Sequence, residues 1–322
     1  MDVLLDIILP VFGLVALGYG ATFTGLFDAG AQRGLALFCF NFAIPGMLFR
    51  QLAITELPER LPYAYLLGYY GAVFIAFAIG ALLAAYVYGY GRREQAVFGL
   101  GLSFSNTVLL GIPLIITTFG DIASLPVFLL IGLHMLILLP LGTLLAETDM
   151  RDASSARQGK RGLRKVIDVL RQTLWNMARN PIVLGLLAGG AFNLLGLGIP
   201  KHVDAVIARL ADAALPCALF AMGASLRGYK LAGKIGEAAL IAGLKTTLHP
   251  LIAYLVCAHV FGVEGIWLKV AVTMAALPGG VNVYLFATRY QTLEATAASA
   301  TLLSTAFSFF TISALLLLIG PG

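Results

Sequence analysis

Long apolar blocks alternate with short polar connections along this chain. Most blocks reach the roughly 20 residues that a helix needs to cross about 30 Å of hydrocarbon. The pattern predicts spans at 4–24, 34–54, 61–89, 95–119, 122–146, 181–199, 203–226, 236–262, 265–288 and 295–319. Residues 147–175 are the long polar stretch between two sets of five spans. The expected organisation is therefore a five-helix repeat over 1–146, a basic linker over 147–175 and a second five-helix repeat over 176–322.

Two of the blocks are interrupted in the middle. Span 4 contains Ser105-Asn106-Thr107-Val108-Leu109-Leu110-Gly111-Ile112-Pro113, and span 9 contains Ala276-Leu277-Pro278-Gly279-Gly280-Val281-Asn282. Both put helix breakers and an amide side chain at a depth where lipid tolerates neither. Unwound backbone survives there only where it is buried in protein or lines a cavity. A pair of such segments in corresponding halves of a chain points to a transporter binding site.

The halves also echo one another. Pro10 and Pro181 lie 171 residues apart, and so do Pro45 and Pro216. Around the second pair the text repeats, Ala43-Ile44-Pro45-Gly46-Met47-Leu48-Phe49 against Ala214-Leu215-Pro216-Cys217-Ala218-Leu219-Phe220. Five spans is an odd number, so the second repeat is inverted relative to the first, as in secondary transporters.

Composition agrees with a membrane setting. Of 322 residues, 60% are hydrophobic and 11% charged, whereas a soluble domain carries about a quarter charged residues. The expectation is an all-α integral membrane protein with no sizeable soluble domain. The first block has no basic n-region ahead of it and reads as a retained signal anchor. Cys39, Cys217 and Cys257 fall inside apolar blocks and read as small buried hydrophobes. The net charge of +5 does not indicate nucleic acid, because the basic residues sit in connections between spans.

Those basic residues orient the chain. Placing 147–175 in the cytoplasm puts fifteen lysines and arginines inside: Arg33, Arg92, Arg93, eight between Arg151 and Arg179, Arg227, Lys230, Lys234 and Arg289. Arg50, Arg60, Lys201, Arg209 and Lys269, five in all, are then outside. The positive-inside rule favours this arrangement, with both termini outside (periplasmic) in a cell inner (plasma) membrane, and with the linker facing membrane lipids.

Candidate chemistry lies at the two breaks. Pro113 lacks an N–H and clashes with the carbonyl four residues earlier, so span 4 is expected to open near Leu109. Pro278, Gly279 and Gly280 open span 9. Opened helices present N–H groups that attract anions. Ser105, Asn106, Thr107, Pro113, Pro278, Gly279, Gly280 and Asn282 are therefore candidate substrate-binding residues. Lys245 and His249 share one face of span 8. They are candidates for the same site, the alternative for Lys245 being that it snorkels or pairs with a carbonyl. Arg50 and His134 read as structural or interfacial. Zinc-protease, nucleophile-elbow and Walker A motifs are absent from the sequence, and neither an enzyme nor a cofactor or metal site is expected. Uphill transport would then draw on an ion gradient or the membrane potential.

The motifs resemble those of the auxin efflux carrier family, which includes the plant auxin exporters and many bacterial carriers. Asn106-Thr107-Val108-Leu109-Leu110-Gly111-Ile112-Pro113-Leu114 matches the family's span 4, and Ala276-Leu277-Pro278-Gly279-Gly280 with Phe286-Ala287-Thr288-Arg289-Tyr290 matches span 9. Leu215 to Leu226 has the family's span 7 character. The resemblance covers both halves. It implies ten spans in a bile-acid-symporter-like fold, with spans 1, 2, 6 and 7 as scaffold and 3–5 and 8–10 as mobile core. It also implies a substrate at the crossing of spans 4 and 9, an elevator-like step, and a homodimer formed through the scaffold. Thr288 stands where the plant exporters have a lysine and Leu48 where they have a serine, which implies a bacterial-type carrier of a small organic anion. The expected substrate is a carboxylate, auxin-like or a dicarboxylate. The competing readings are a sodium-coupled organic-anion symporter of bile-acid-carrier type, for which the breaks lack the usual carboxylates, and a membrane sensor, for which the linker is short.

Overall fold

The computed structural model describes residues 3–55, 62–148, 167–168, 171–172, 174–176 and 178–320, and the regular elements among them are helical. Helix α1 (Leu9–Ala21) follows a wide turn at Val3–Ile8. Helix α2 (Ala29–Phe38) is capped by the Asp28 carboxylate, which accepts the Ala31 N–H at 2.8 Å. It continues through a second wide turn, Cys39–Ala43, into α3 (Ile44–Ile54). Helices α4 (Tyr63–Tyr86), α5 (Arg92–Ser103), α6 (Ile112–Phe119) and α7 (Ser124–Glu147) follow. Beyond the linker come α8 (Pro181–Leu194), α9 (Lys201–Leu226), α10 (Ile235–Tyr254), α11 (Gly265–Ala276), α12 (Val281–Arg289) and α13 (Glu294–Ile319). Most of the 147–175 linker, together with Arg60, lies outside the described residues.

Three of the wide turns run up to a proline, whereas a fourth, Leu255–Val260, does not. Val3–Ile8 precedes Pro10, Cys39–Ala43 precedes Pro45, and Thr107–Gly111 precedes Pro113. Proline removes a donor and crowds the carbonyl four residues back, and a turn that bonds five residues apart relieves that crowding. This changes the expected opening of span 4. At Leu109 the chain stays helical, because the Gly111 N–H reaches the Asn106 carbonyl at 3.0 Å. The unwound residues are Phe104 to Asn106 instead. Span 6 likewise ends earlier than expected. Gly196, at φ +64, terminates α8 with the Leu197 N–H on the Phe192 carbonyl.

Among the described residues, six stretches are long and apolar enough to cross a bilayer: Ala29–Ile54, Tyr63–Tyr86, Asp121–Glu147, Lys201–Leu226, Ile235–Val260 and Glu294–Ile319. The other expected spans fall on shorter apolar helices, Asp6–Ala21, Thr107–Phe119, Pro181–Leu194 and Gly265–Ala276. Helix α13 buries Ser299, Thr301, Ser304, Thr305 and Ser308 in this apolar setting. Hydroxyls such as Thr305 bond back to carbonyls of the preceding turn (2.8 Å to Thr301).

Small residues bring the helices together. A methyl group on Gly18 of α1 would lie 2.0 Å from the Phe220 carbonyl oxygen of α9, and one on Gly189 of α8 would lie 2.5 Å from the Phe49 carbonyl oxygen of α3. Gly18 and Gly189 are 171 residues apart, and so are Phe49 and Phe220. The two close crossings thus repeat at the same offset as the prolines. Helices α3 and α9 also pack together and share a two-pronged ion pair. Arg50 Nε and Nη2 meet the Asp204 carboxylate oxygens at 2.6 and 3.1 Å. Asn193 of α8 closes the end of α3 by donating to the carbonyls of Leu52, Ala53 and Thr55 at 2.9, 3.2 and 2.6 Å. Elsewhere α4 packs on α5, and α10 packs on α13, α11 and α4. Cys39, Cys217 and Cys257 are free thiols, the first and last fully buried.

Candidate substrate site at the crossing of two broken helices

Helix α5 stops at Ser103, whose hydroxyl turns back onto the Gly99 carbonyl (2.7 Å), and the chain runs on extended through Phe104. Helix α11 stops at Ala276, and Leu277 and Gly280 are extended as well. The two unwound segments meet antiparallel with Ser105 opposite Gly279. The Asn106 N–H donates to the Pro278 carbonyl at 2.9 Å, and the Gly280 N–H donates to the Phe104 carbonyl at 3.1 Å. Each break thereby satisfies the backbone groups that the other one freed, which lets unwound chain persist among apolar helices.

Side chains accept from two more of these N–H groups. The Ser105 N–H donates to His134 Nε2 of α7 at 3.1 Å, and the Gly279 N–H donates to Ser304 Oγ of α13 at 3.0 Å. An imidazole accepting at Nε2 carries its proton on Nδ1. The glycines are needed for closeness. A Cβ on Gly280 would sit 2.9 Å from the Phe104 ring and 3.2 Å from the Ser105 carbonyl oxygen. One on Gly111 would sit 2.7 Å from Leu277.

Lys245 enters the crossing from α10 and is fully buried. Its Nζ donates to the carbonyls of Ala275 (2.6 Å) and Leu277 (2.7 Å) and to Ser105 Oγ (3.0 Å). His249 Nδ1 lies 3.2 Å away. The two carbonyls belong to the C-terminal end of α11, the negative pole of that helix, and the ammonium neutralises it. Carbonyl pairing, one of the two readings left open for this lysine, is the contact observed. Tyr69 of α4 lies behind the crossing, its ring 6.3 Å from His134 and 6.5 Å from His249.

Two helix starts open at the same place, one at Thr107 and one at Val281. The leading N–H groups of a helix have no partner inside it and attract negative charge. Asn106 and Thr107 are buried at the first start, and Asn282 is half-buried in the first turn of the second. Asn106 Nδ2 rests 3.7 Å from the Met222 sulfur of α9. A thioether is a weak acceptor that a carboxylate would outcompete. Of the sequence candidates, Ser105, Asn106, Pro278, Gly279, Gly280, Lys245 and His249 come together here. Thr107 and Asn282 adjoin them, and Pro113 lies about two turns beyond Asn106, in the first turn of α6.

Sequence reasoning missed Ser304 and Met222 as partners of the crossing, and it gave His134 a structural role without locating it. The intramembrane histidine was a usable signal, whereas a serine among the many hydroxyls of α13 carries none. Among the described residues, no group of three His, Cys, Asp or Glu side chains gathers that could hold a metal. The buried carboxylate of Glu237 is engaged elsewhere, by Tyr90 (2.9 Å) and Lys234 (3.3 Å).

The apolar helices and the family match together make this a multi-pass membrane transporter. The chain belongs to the membrane transport protein family, whose family model matches residues 3–316, and so to the auxin efflux carriers whose motifs it resembles. It is 28% identical to a Rhizobium meliloti (strain 1021) protein named "Putative malonate transporter", over 98% of this chain and 96% of that one. It is 24% identical to auxin efflux carrier component 8 of Arabidopsis thaliana, over 87% of this chain and 88% of that one. It is 25% identical to the lysosomal cholesterol signaling protein of Mus musculus over 69% of this chain, which spans 26% of that protein.

Proposed function

We propose that the protein is a secondary transporter of small organic anions, with a short dicarboxylate such as malonate as the first candidate substrate. The observation that carries this reading is the meeting of two helix N-termini, at Thr107 and Val281, on either side of the Ser105–Gly279 bridge. Two positive helix ends a few residues apart suit an anion, and a dicarboxylate has one carboxylate for each. Asn106 and Asn282 are the groups that orient it, with Ser105, Thr107, Pro278, Gly279 and Gly280 shaping the backbone around it. Pro113 sets the direction of α6. Lys245 and His249 act from behind, through the helix ends. The relative named as a malonate transporter aligns over nearly the whole chain and supports the dicarboxylate choice.

The transport cycle in this reading is elevator-like. Spans 1, 2, 6 and 7 form a dimerising scaffold, and spans 3–5 and 8–10 carry the substrate past it. Ten spans in two inverted halves are supported by the 171-residue offset, which links the prolines and also the Gly18–Phe220 and Gly189–Phe49 crossings. The lysine and arginine bias supports an inner (plasma) membrane orientation with 147–175 cytoplasmic and both termini outside.

The test is uptake into liposomes containing the purified protein, across malonate, longer dicarboxylates, monocarboxylates and indole-3-acetate, with and without sodium. Saturable malonate uptake independent of sodium supports the proposal. Strict sodium dependence would favour the bile-acid-carrier type of symport, and no uptake of any anion would favour a sensor.

A further inference from the structure

Lys245 Nζ has three oxygen acceptors close around it, one for each proton of an ammonium. Three oxygens, Ser105 Oγ and the carbonyls of Ala275 and Leu277, stand at 2.6–3.0 Å from Nζ, with His249 Nδ1 as a fourth neighbour at 3.2 Å. These groups come from three parts of the fold: the span 4 break, α10 itself and the end of α11. They surround one point of positive charge that has no exposure to solvent. Carbonyl and hydroxyl oxygens converging on one point from separate elements are the surroundings that bind a small monovalent cation. We infer that the crossing contains a monovalent-cation site built from Ser105, Ala275, Leu277 and His249, and that Lys245 fills it permanently with its own ammonium group.

The consequence for transport follows from the helix ends. A crossing of two broken helices brings together two positive N-termini and two negative C-termini. An anion is favoured there only if the negative ends are masked. The Phe104 carbonyl beyond α5 is taken by the Gly280 N–H, and the α11 end is taken by Lys245. The crossing becomes net positive without an ion from solution. This consequence rests on the anion-transport reading, whereas the cation site rests on the four contacts alone.

Lys245→Ala removes three methylenes and the ammonium, a hole with the shape of propylammonium. The purified variant should melt at least about 5 °C below the wild type in choline chloride. It should regain most of that loss in propylammonium chloride. Partial recovery in ammonium, sodium or potassium chloride would rank the cations that the site accepts. The wild type should melt at the same temperature in every one of these salts. Lys245→Met keeps the stem in the hole, so it should lose stability and regain none with propylammonium. The inference is overturned if Lys245→Ala melts like the wild type in choline chloride, if no small cation restores it, or if Lys245→Met is restored equally. It is also overturned if sodium raises the melting temperature of the wild type. Should Lys245→Ala extract only as aggregate in choline chloride, extraction in propylammonium chloride decides: folded protein supports the site, and aggregate again refutes it. No transport substrate enters these measurements, so a failure to carry anions and a failure of the cation site are read separately.

Discussion

The Asn106 N–H donates to the Pro278 carbonyl at 2.9 Å, joining two residues 172 positions apart in the middle of two interrupted helices. A proline that cannot continue its own helix thus supplies the acceptor for the break in the other. The same bond sets Asn106 at the start of one helix and draws the second start, at Val281, towards it.

The two amides should matter about equally for binding. Losing one hydrogen bond to a charged group costs about 1.5–3 kcal/mol, roughly ten- to hundred-fold in affinity. Asn106→Ala and Asn282→Ala are each expected to weaken malonate binding by that factor while the protein still extracts folded, as read by equilibrium binding of labelled malonate. Normal binding by both variants would move the site away from the crossing.

Gly280→Ala tests how closely the two breaks must approach. Its methyl would meet the Phe104 ring at 2.9 Å and the Ser105 carbonyl oxygen at 3.2 Å. Overpacking of this kind costs about 1–3 kcal/mol. A lowered melting temperature together with reduced uptake is expected, and an unchanged rate would mean that the bridge tolerates widening.

His134→Leu should leave the buried Ser105 N–H without its acceptor. An orphaned buried donor costs about 1–3 kcal/mol. His134→Gln offers an oxygen in a similar place and is expected to recover part of the loss. Equal stability of Leu and Gln variants in thermal melts would show that the bond to Ser105 contributes nothing.

Gly18→Ala and Gly189→Ala form a matched pair. Each forces a methyl into a carbonyl of the facing helix, at 2.0 and 2.5 Å before relaxation. Both variants should be destabilised by similar amounts in thermal melts if α1–α9 and α8–α3 are the same contact used twice. A large loss in one and none in the other would break the equivalence.

Topology is open to labelling. Cysteine-accessibility labelling at Ser154 should report the cytoplasm, while a tag placed after Gly322 reports the outside. Signals from the same side would end the inverted-repeat reading.

The two interruptions were legible because proline and glycine act on their own backbone. Pro113, Pro278, Gly279 and Gly280 disturb the hydrogen-bond ladder wherever the chain folds, and the length of the apolar blocks follows from the solvent they meet. The 171-residue echo was legible for the same local reason. The position of the first opening was not. The carbonyl at Leu109 was the one that Pro113 crowds, yet the wide turn Thr107–Gly111 absorbed that strain, and the opening moved to Phe104–Asn106, where a partner strand was available. The partners of Lys245 were equally hidden. Backbone carbonyls at Ala275 and Leu277 have no signature in the amino-acid sequence, since every residue carries one. Only the folding of α10 against α11 determines which carbonyls face the ammonium. Local chemistry thus set which helices break, whereas packing of distant segments set where the first of them opens and which groups both breaks meet.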